Sequence, residues 1–234
     1  MEEATKIFND YYNNFDSSLN GVSRKYDHTF RVVNYAERIA KSLNLSDDDF
    51  VLASKCALFH DIARFKQWSE YNTFEDALSF DHGDEGEKIL KDLGIKDEII
   101  LLSTRVHNKI SVPEEFDERC KMFSNITRDA DKLDNLCVKF PKLDSNYDVP
   151  IEAINSLLNK EMVKNNEKYD DNNLFHILRE IAFIFDLNFK ESFRIIKEDG
   201  CLERRLNLLK EANLKDYDKI YEVCNKFIEE RLSE

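Results

Sequence analysis

Apolar residues recur along this chain at helical spacing almost throughout. Ile7, Phe8, Tyr11, Tyr12 and Phe15 mark an opening amphipathic helix. Val32, Ala36, Ile39 and Leu43 form a stripe that predicts a second helix over about 23–43. Ser46 suits the N-cap of a third, with Asp47, Asp48 and Asp49 in the first turn, where free amides and the helix dipole favour carboxylates. Its body, Phe50 to Phe59, is apolar nearly all round and predicts a central, buried helix. Residues 63–82 mix Phe65, Trp68, Tyr71, Phe74 and Phe80 with charge and show no clear period, which predicts a long ordered loop. A short helix to Leu93 follows, closed by Gly94, and another spans about Lys96 to Asn108. Pro113 fits the first position of a helix ending near Phe140. Pro141 to Pro150 reads as a polar connector, and further helices are expected near 151–162, 172–187, 189–199 and 203–231, with breaks at Gly200 and around Asn213. The charge run Asp170–Asn173 is expected to cap a helix or face solvent.

Composition supports an all-α reading. Only 5 Gly and 3 Pro occur in 234 residues, where average usage gives about 28. All-β folds lean on those residues for turns. No Gly-rich phosphate loop of the dinucleotide or P-loop kind is present. A net charge of −13 disfavours a nucleic-acid polymer or an anionic membrane as partner. It leaves room for a small phosphorylated ligand, which a few local cations can hold. No apolar run approaches the length of a membrane span, and the acidic start Met1-Glu2-Glu3 does not read as a signal peptide. Five widely spaced cysteines without a C-x-x-C, namely Cys56, Cys120, Cys137, Cys201 and Cys224, are expected as reduced thiols in a cytoplasmic protein.

Candidate chemistry lies with the histidines. His28 continues the buried stripe of the second helix, four residues before Val32. His60 follows Phe50, Ala53 and Ala57 at helical spacing and precedes Asp61. Asp131 sits between Ala130 and Leu133 on a packed helix. A buried carboxylate must meet a cation or a metal. Arg64 and Arg128 could supply the cation; imidazole and carboxylate at the ends of several helices are equally a ligand set for Zn, Mn or Fe.

His28, the doublet His60-Asp61 within ALFHDIARF, and Asp131 within RDADKLDNL together resemble the HD-domain superfamily of metal-dependent phosphohydrolases over about residues 24–140. His82 in SFDHGDEG and His107 in STRVHNK fall between the doublet and Asp131, as in the binuclear, HD-GYP-like subgroup. The resemblance implies an all-α HD-type fold with additional C-terminal helices, one domain of 234 residues with its metal-binding core over 24–140 and an extension over 150–234. It implies two divalent ions, from Mn, Fe, Co, Ni or Zn with Mg also within the set. One would take His28, His60, Asp61 and Asp131; the other His82, His107 and the second oxygen of Asp61. It implies hydrolysis of a nucleotide or other small phosphorylated metabolite through a metal-bridging hydroxide, with Arg64, Lys109 and Lys132 as cations for the phosphoryl oxygens. Trp68 and Tyr71 are candidates for contact with a base or sugar. Two other readings share the ligand pattern: an HD-type diiron oxygenase that cleaves a C–C or C–P bond with O2, and a nucleotide-sensing module without turnover. His176 has no place in the pattern and is expected to be a packed or surface residue.

Overall fold

The structure, a computed structural model, describes residues 1–139, 143, 148–169 and 172–234. Every regular element among them is helical. The chain divides into two compact units, Met1–Asp131 and Lys132–Glu234.

In the first unit, α1 (Glu2–Tyr12), α2 (Asn20–Ser42), α3 (Asp47–Phe59), α4 (Ala63–Tyr71), α5 (His82–Asp92) and α6 (Glu98–Val106) precede α7 (Glu118–Cys137), whose residues through Asp131 belong here. Ser46 caps α3 as expected, its side chain accepting from the Asp49 amide. The seven residues Leu52, Ala53, Ser54, Cys56, Ala57, Leu58 and Phe59 are all buried, so α3 is the central helix its composition predicts. Each large side chain buried there contributes roughly 1.5–3 kcal/mol. The helix α2 packs along α3 and against α4; α3 also meets α6, and α5 lies between α4 and α6. Gly94 ends α5 at φ +83°, the left-handed turn that glycine permits.

Two sequence expectations change. Residues 63–71 of the expected loop are the helix α4, and a 3-10 turn (Asp76–Leu78) lies in the remainder. The periodicity is masked because a buried polar residue, Gln67, interrupts it. Its amide donates to Asp76 Oδ1 at 3.0 Å, Ser79 Oγ at 2.7 Å and the Phe80 carbonyl at 3.2 Å. Pro113 is not the first residue of α7; that helix starts five residues later, after Asp117, whose carboxylate accepts from the Cys120 amide at 2.7 Å. The expected end near Phe140 and much of the connector from Pro141 fall outside the described residues, as do Asp170 and Asp171. Asn172 caps the next helix by accepting from the Phe175 amide.

The second unit holds the end of α7 with α8 (Ile151–Leu158), α9 (Asn173–Ala182), α10 (Lys190–Glu198), α11 (Cys201–Glu211) and α12 (Tyr217–Ser233). The breaks expected at Gly200 and Asn213 are both present, each residue adopting a positive φ. Glu180 and Arg205 form an ion pair at 2.7 Å, and Arg205 also donates to the Asn135 carbonyl. The expectation of five reduced thiols is overturned for two. Cys137, the last residue of α7, and Cys201, the first of α11, are joined in a disulfide with their Cα atoms 4.6 Å apart. Cys56, Cys120 and Cys224 are free and buried. The pairing removes the thiol argument for a reducing compartment. Among the described residues no helix is long and apolar enough to cross a membrane.

Candidate metal centre

Six side chains scattered over a hundred positions converge in the first unit. His28 stands midway along α2, His60 and Asp61 directly follow α3, His82 opens α5, His107 follows α6, and Asp131 lies on α7. Asp131 is partly exposed; the other five are buried.

They form two sets. In the first, His28 Nε2 lies 3.3 Å from His60 Nε2, 3.4 Å from Asp61 Oδ2 and 3.2 Å from Asp131 Oδ1. His60 Nε2 is 3.5 Å from Asp61 Oδ2 and 3.8 Å from Asp131 Oδ1. In the second, His82 Nε2 and His107 Nε2 are 3.1 Å apart, and Asp61 Oδ1 lies 3.6 Å and 3.3 Å from them. The two oxygens of Asp61 therefore face different sets.

Hydrogen bonds behind the rings fix which nitrogen faces inward. His60 Nδ1 donates to the Ala57 carbonyl at 2.7 Å, and His107 Nδ1 to the Thr104 carbonyl at 2.7 Å. Each acceptor lies three residues back on the helix that ends at that histidine, so the backbone itself selects the tautomer. His82 Nδ1 donates instead to the carboxylate of Asp76, at 2.7 and 2.8 Å. In neutral imidazoles so held, every Nε2 presents a lone pair to the centre. Burial lowers His60 below the usual histidine range, and burial with the nearby Arg64 charge lowers His82 to about 4. Both rings are neutral near pH 7. His82 Nε2 and Asp61 Oδ1 are then acceptors facing one another beside His107 Nε2, an arrangement that calls for a cation.

Burial opposes ionisation of Asp61. Even so, the Lys25 ammonium beside it holds its carboxyl well below the usual range. Asp131 is likewise held low, burial being outweighed by its contact with His28. The donor spacings run from 3.1 to 3.6 Å, apart from 3.8 Å between His60 Nε2 and Asp131 Oδ1, and so fall near the edges, roughly 2.8–3.6 Å, of octahedra or tetrahedra with bonds near 2.0–2.2 Å. Ligand atoms of His28, His60 and Asp131, and of His60, Asp61 and His107, gather closely enough to hold an ion. The residues fit a divalent metal in number, type and protonation.

Local packing makes this possible. A Cβ at Gly83 would come within 2.5 Å of the Arg105 carbonyl, so glycine lets the start of α5 approach the end of α6 and brings His82 to His107. Asp81 caps α5 by accepting from the Gly83 and Asp84 amides, which sets His82 in its first turn. The buried Arg128 guanidinium donates to the carbonyls of Val106, His107, Lys109 and Ile110. It fixes the segment beyond α6.

The expected substrate cations are placed differently. Arg64 is at the centre: Nε is 3.4 Å from Asp61 Oδ1, and Nη1 reaches Asp76 Oδ1 at 3.2 Å and donates to Gln67 Oε1 and the Phe74 carbonyl. Lys109 pairs with Asp81 and Asp84. Lys132 pairs with Asp186 at 3.0 Å within the second unit. Trp68 stacks against Phe74, ring centroids 4.6 Å apart, and Tyr71 is exposed and edge-on to Phe80. His176 lies on α9 in the second unit, its ring edge-on to Phe175.

Sequence reasoning missed two contributors. Lys25 places Nζ 2.6 Å from Asp61 Oδ2; its signal was a position one turn before His28 on the same helix face. Asp76 orients His82 and accepts from Asn108 Nδ2 at 3.2 Å; it lies in the aperiodic stretch, an acidic residue after the His60-Asp61 doublet that no spacing tied to His82.

A family model described as HD domain matches residues 26–136. Residues 26–136 are an HD domain. The match spans the positions of all six converging residues. HD domains bind divalent metals and act mostly as metal-dependent hydrolases, and the His/Asp clusters of this one suit that role. No curated protein and no solved structure matches the chain.

Proposed function

We propose that the HD domain is a metal-dependent phosphohydrolase acting on a nucleotide or other small phosphorylated metabolite. The observation that carries the reading is the division of Asp61, Oδ2 among His28 and His60 and Oδ1 among His82 and His107. One carboxylate serving two donor sets is the arrangement of a two-ion centre.

His28, His60, Asp61 Oδ2 and Asp131 would hold one ion, and His82, His107 and Asp61 Oδ1 the other. Two divalent ions supply activation of water near neutral pH and charge to the phosphoryl oxygens. The protein's own groups do the rest. The Nδ1–H bonds to Ala57, Thr104 and Asp76 hold the rings in one tautomer. Arg64 and Lys25, both within 3.4 Å of an Asp61 oxygen, are cations beside the reacting phosphate. Lys132 stays an expectation from the motif, its amino group engaged by Asp186.

Purified protein should carry Mn, Fe, Co, Ni, Zn or Mg and release phosphate from a panel of monoesters, diesters and nucleotides. Asp61→Ala should abolish release. Oxygen uptake with reduced iron and an organic substrate, without phosphate release, would overturn the proposal in favour of oxygenase chemistry.

A further inference from the structure

We propose that Arg24, seated on Phe74, holds a second phosphate of the substrate, remote from the phosphate at the metal centre. This rests on the phosphohydrolase reading and narrows its substrates to molecules carrying more than one phosphate.

Three cations gather around the half-buried Phe74 ring. Arg24 Cζ lies 5.2 Å from its centroid, Lys25 Nζ 5.4 Å and Arg64 Cζ 5.6 Å. Lys25 is neutralised by Asp61, and Arg64 by Asp61 and Asp76. Arg24 has no acidic partner among the described residues. Asp27, one turn further along α2, makes no ion pair with it. The shared ring keeps Arg24 Cζ within about 11 Å of Lys25 Nζ, the amino group already at the centre.

The seat is built rather than incidental. A Cβ at Gly21 would come within 2.0 Å of the Trp68 indole, so glycine opens the notch in α2 that Trp68 fills. Trp68 supports Phe74, and Phe74 holds Arg24 by a cation–π contact. Gly21, Arg24, Lys25 and His28 follow one another at helical spacing on one face of α2. A guanidinium on a rigid ring loses little freedom when it binds a planar or tetrahedral oxyanion, and its fork suits phosphate. The aromatic pair thus presents positive charge rather than an open stacking face, which fits the phosphate end of a substrate better than its base.

The test uses the magnesium-loaded full chain. Inorganic phosphate and tripolyphosphate are titrated by calorimetry, with emission of Trp68, the chain's single tryptophan, followed in parallel. Tripolyphosphate should bind tighter than phosphate and alter Trp68 emission, whereas phosphate should not. Arg24→Gln should weaken tripolyphosphate by about tenfold, the worth of a charge-assisted hydrogen bond, and leave phosphate within about twofold. Arg24→Lys should recover part of the loss. Phe74→Leu, which removes the seat and keeps the charge, should weaken tripolyphosphate alone. If both anions bind and Arg24→Gln changes neither, or weakens both equally, the second-phosphate site is wrong and the phosphohydrolase reading stands. If neither anion binds the wild-type chain, both fall together.

Discussion

The two halves of the centre are built by different means. His28, His60 and Asp131 rise from α2, the end of α3 and α7, and His60 is oriented by a backbone carbonyl of its own helix. In the other half His107 is held the same way, by the Thr104 carbonyl, but His82 leans on a side-chain network. His82 is oriented by Asp76, itself held by Gln67, Arg64 and Asn108 in the segment between α4 and α5. A backbone acceptor cannot be lost by substitution, but a carboxylate can. The first set is therefore the robust one, and the second is the half that mutation or acid should release first.

Asp61 belongs to both halves, so its loss should be the most damaging. Asp61→Ala should remove both ions and all phosphate release, read by elemental analysis and a phosphate assay. It also strands the Lys25 charge at 15% side-chain exposure, so the variant should melt below wild type. Retention of both ions would show that the carboxylate bridges nothing.

Asp76→Asn should act on one half only. Removing an outer partner of a ligating histidine costs about 10–100-fold in metal affinity. Competition with a chelator should show one site weakened and the other unchanged. Equal weakening of both would erase the distinction between the halves.

Acid should show the same order. The folded pKa of His82 is about 4, against an ordinary value of 6.5 in the unfolded chain. Between those values the unfolded chain binds the extra proton, so stability is present above pH 6.5 and lost as pH falls toward 4. The drop is about 3 kcal/mol for the metal-free protein, measured by denaturant unfolding. The low-lying carboxyl of Asp76 adds to it at still lower pH. His82→Gln should flatten the pH 4–6.5 part of the profile; an unchanged profile would assign it elsewhere.

The smallest effect concerns a residue remote from the metals. Ser46→Ala removes the cap of α3, whose far end carries His60. It should cost about 1 kcal/mol in thermal unfolding and leave both metal affinities intact, because the eleven buried or half-buried residues of α3 still fix His60.

How much was legible follows from the same physics. The six converging residues could be read because imidazole and carboxylate on apolar helix faces are costly unless they share a purpose, and their order resembled a known pattern. The helices of both units followed from periodicity, and α4 escaped because Gln67 is buried by hydrogen bonds rather than by apolar character. Lys25 escaped because a lysine near a helix start ordinarily faces solvent. The Cys137–Cys201 bond escaped because 64 residues separate its halves and only the meeting of two helix ends brings them together. The pairing of Lys132 with Asp186 has the same origin.

The central claim is that one carboxylate serves two metal ions. Metal stoichiometry by mass spectrometry on wild type and on His82→Ala tests it most directly. The account predicts two ions per chain in wild type and one in the variant. One ion or none per wild-type chain under metal excess would contradict it.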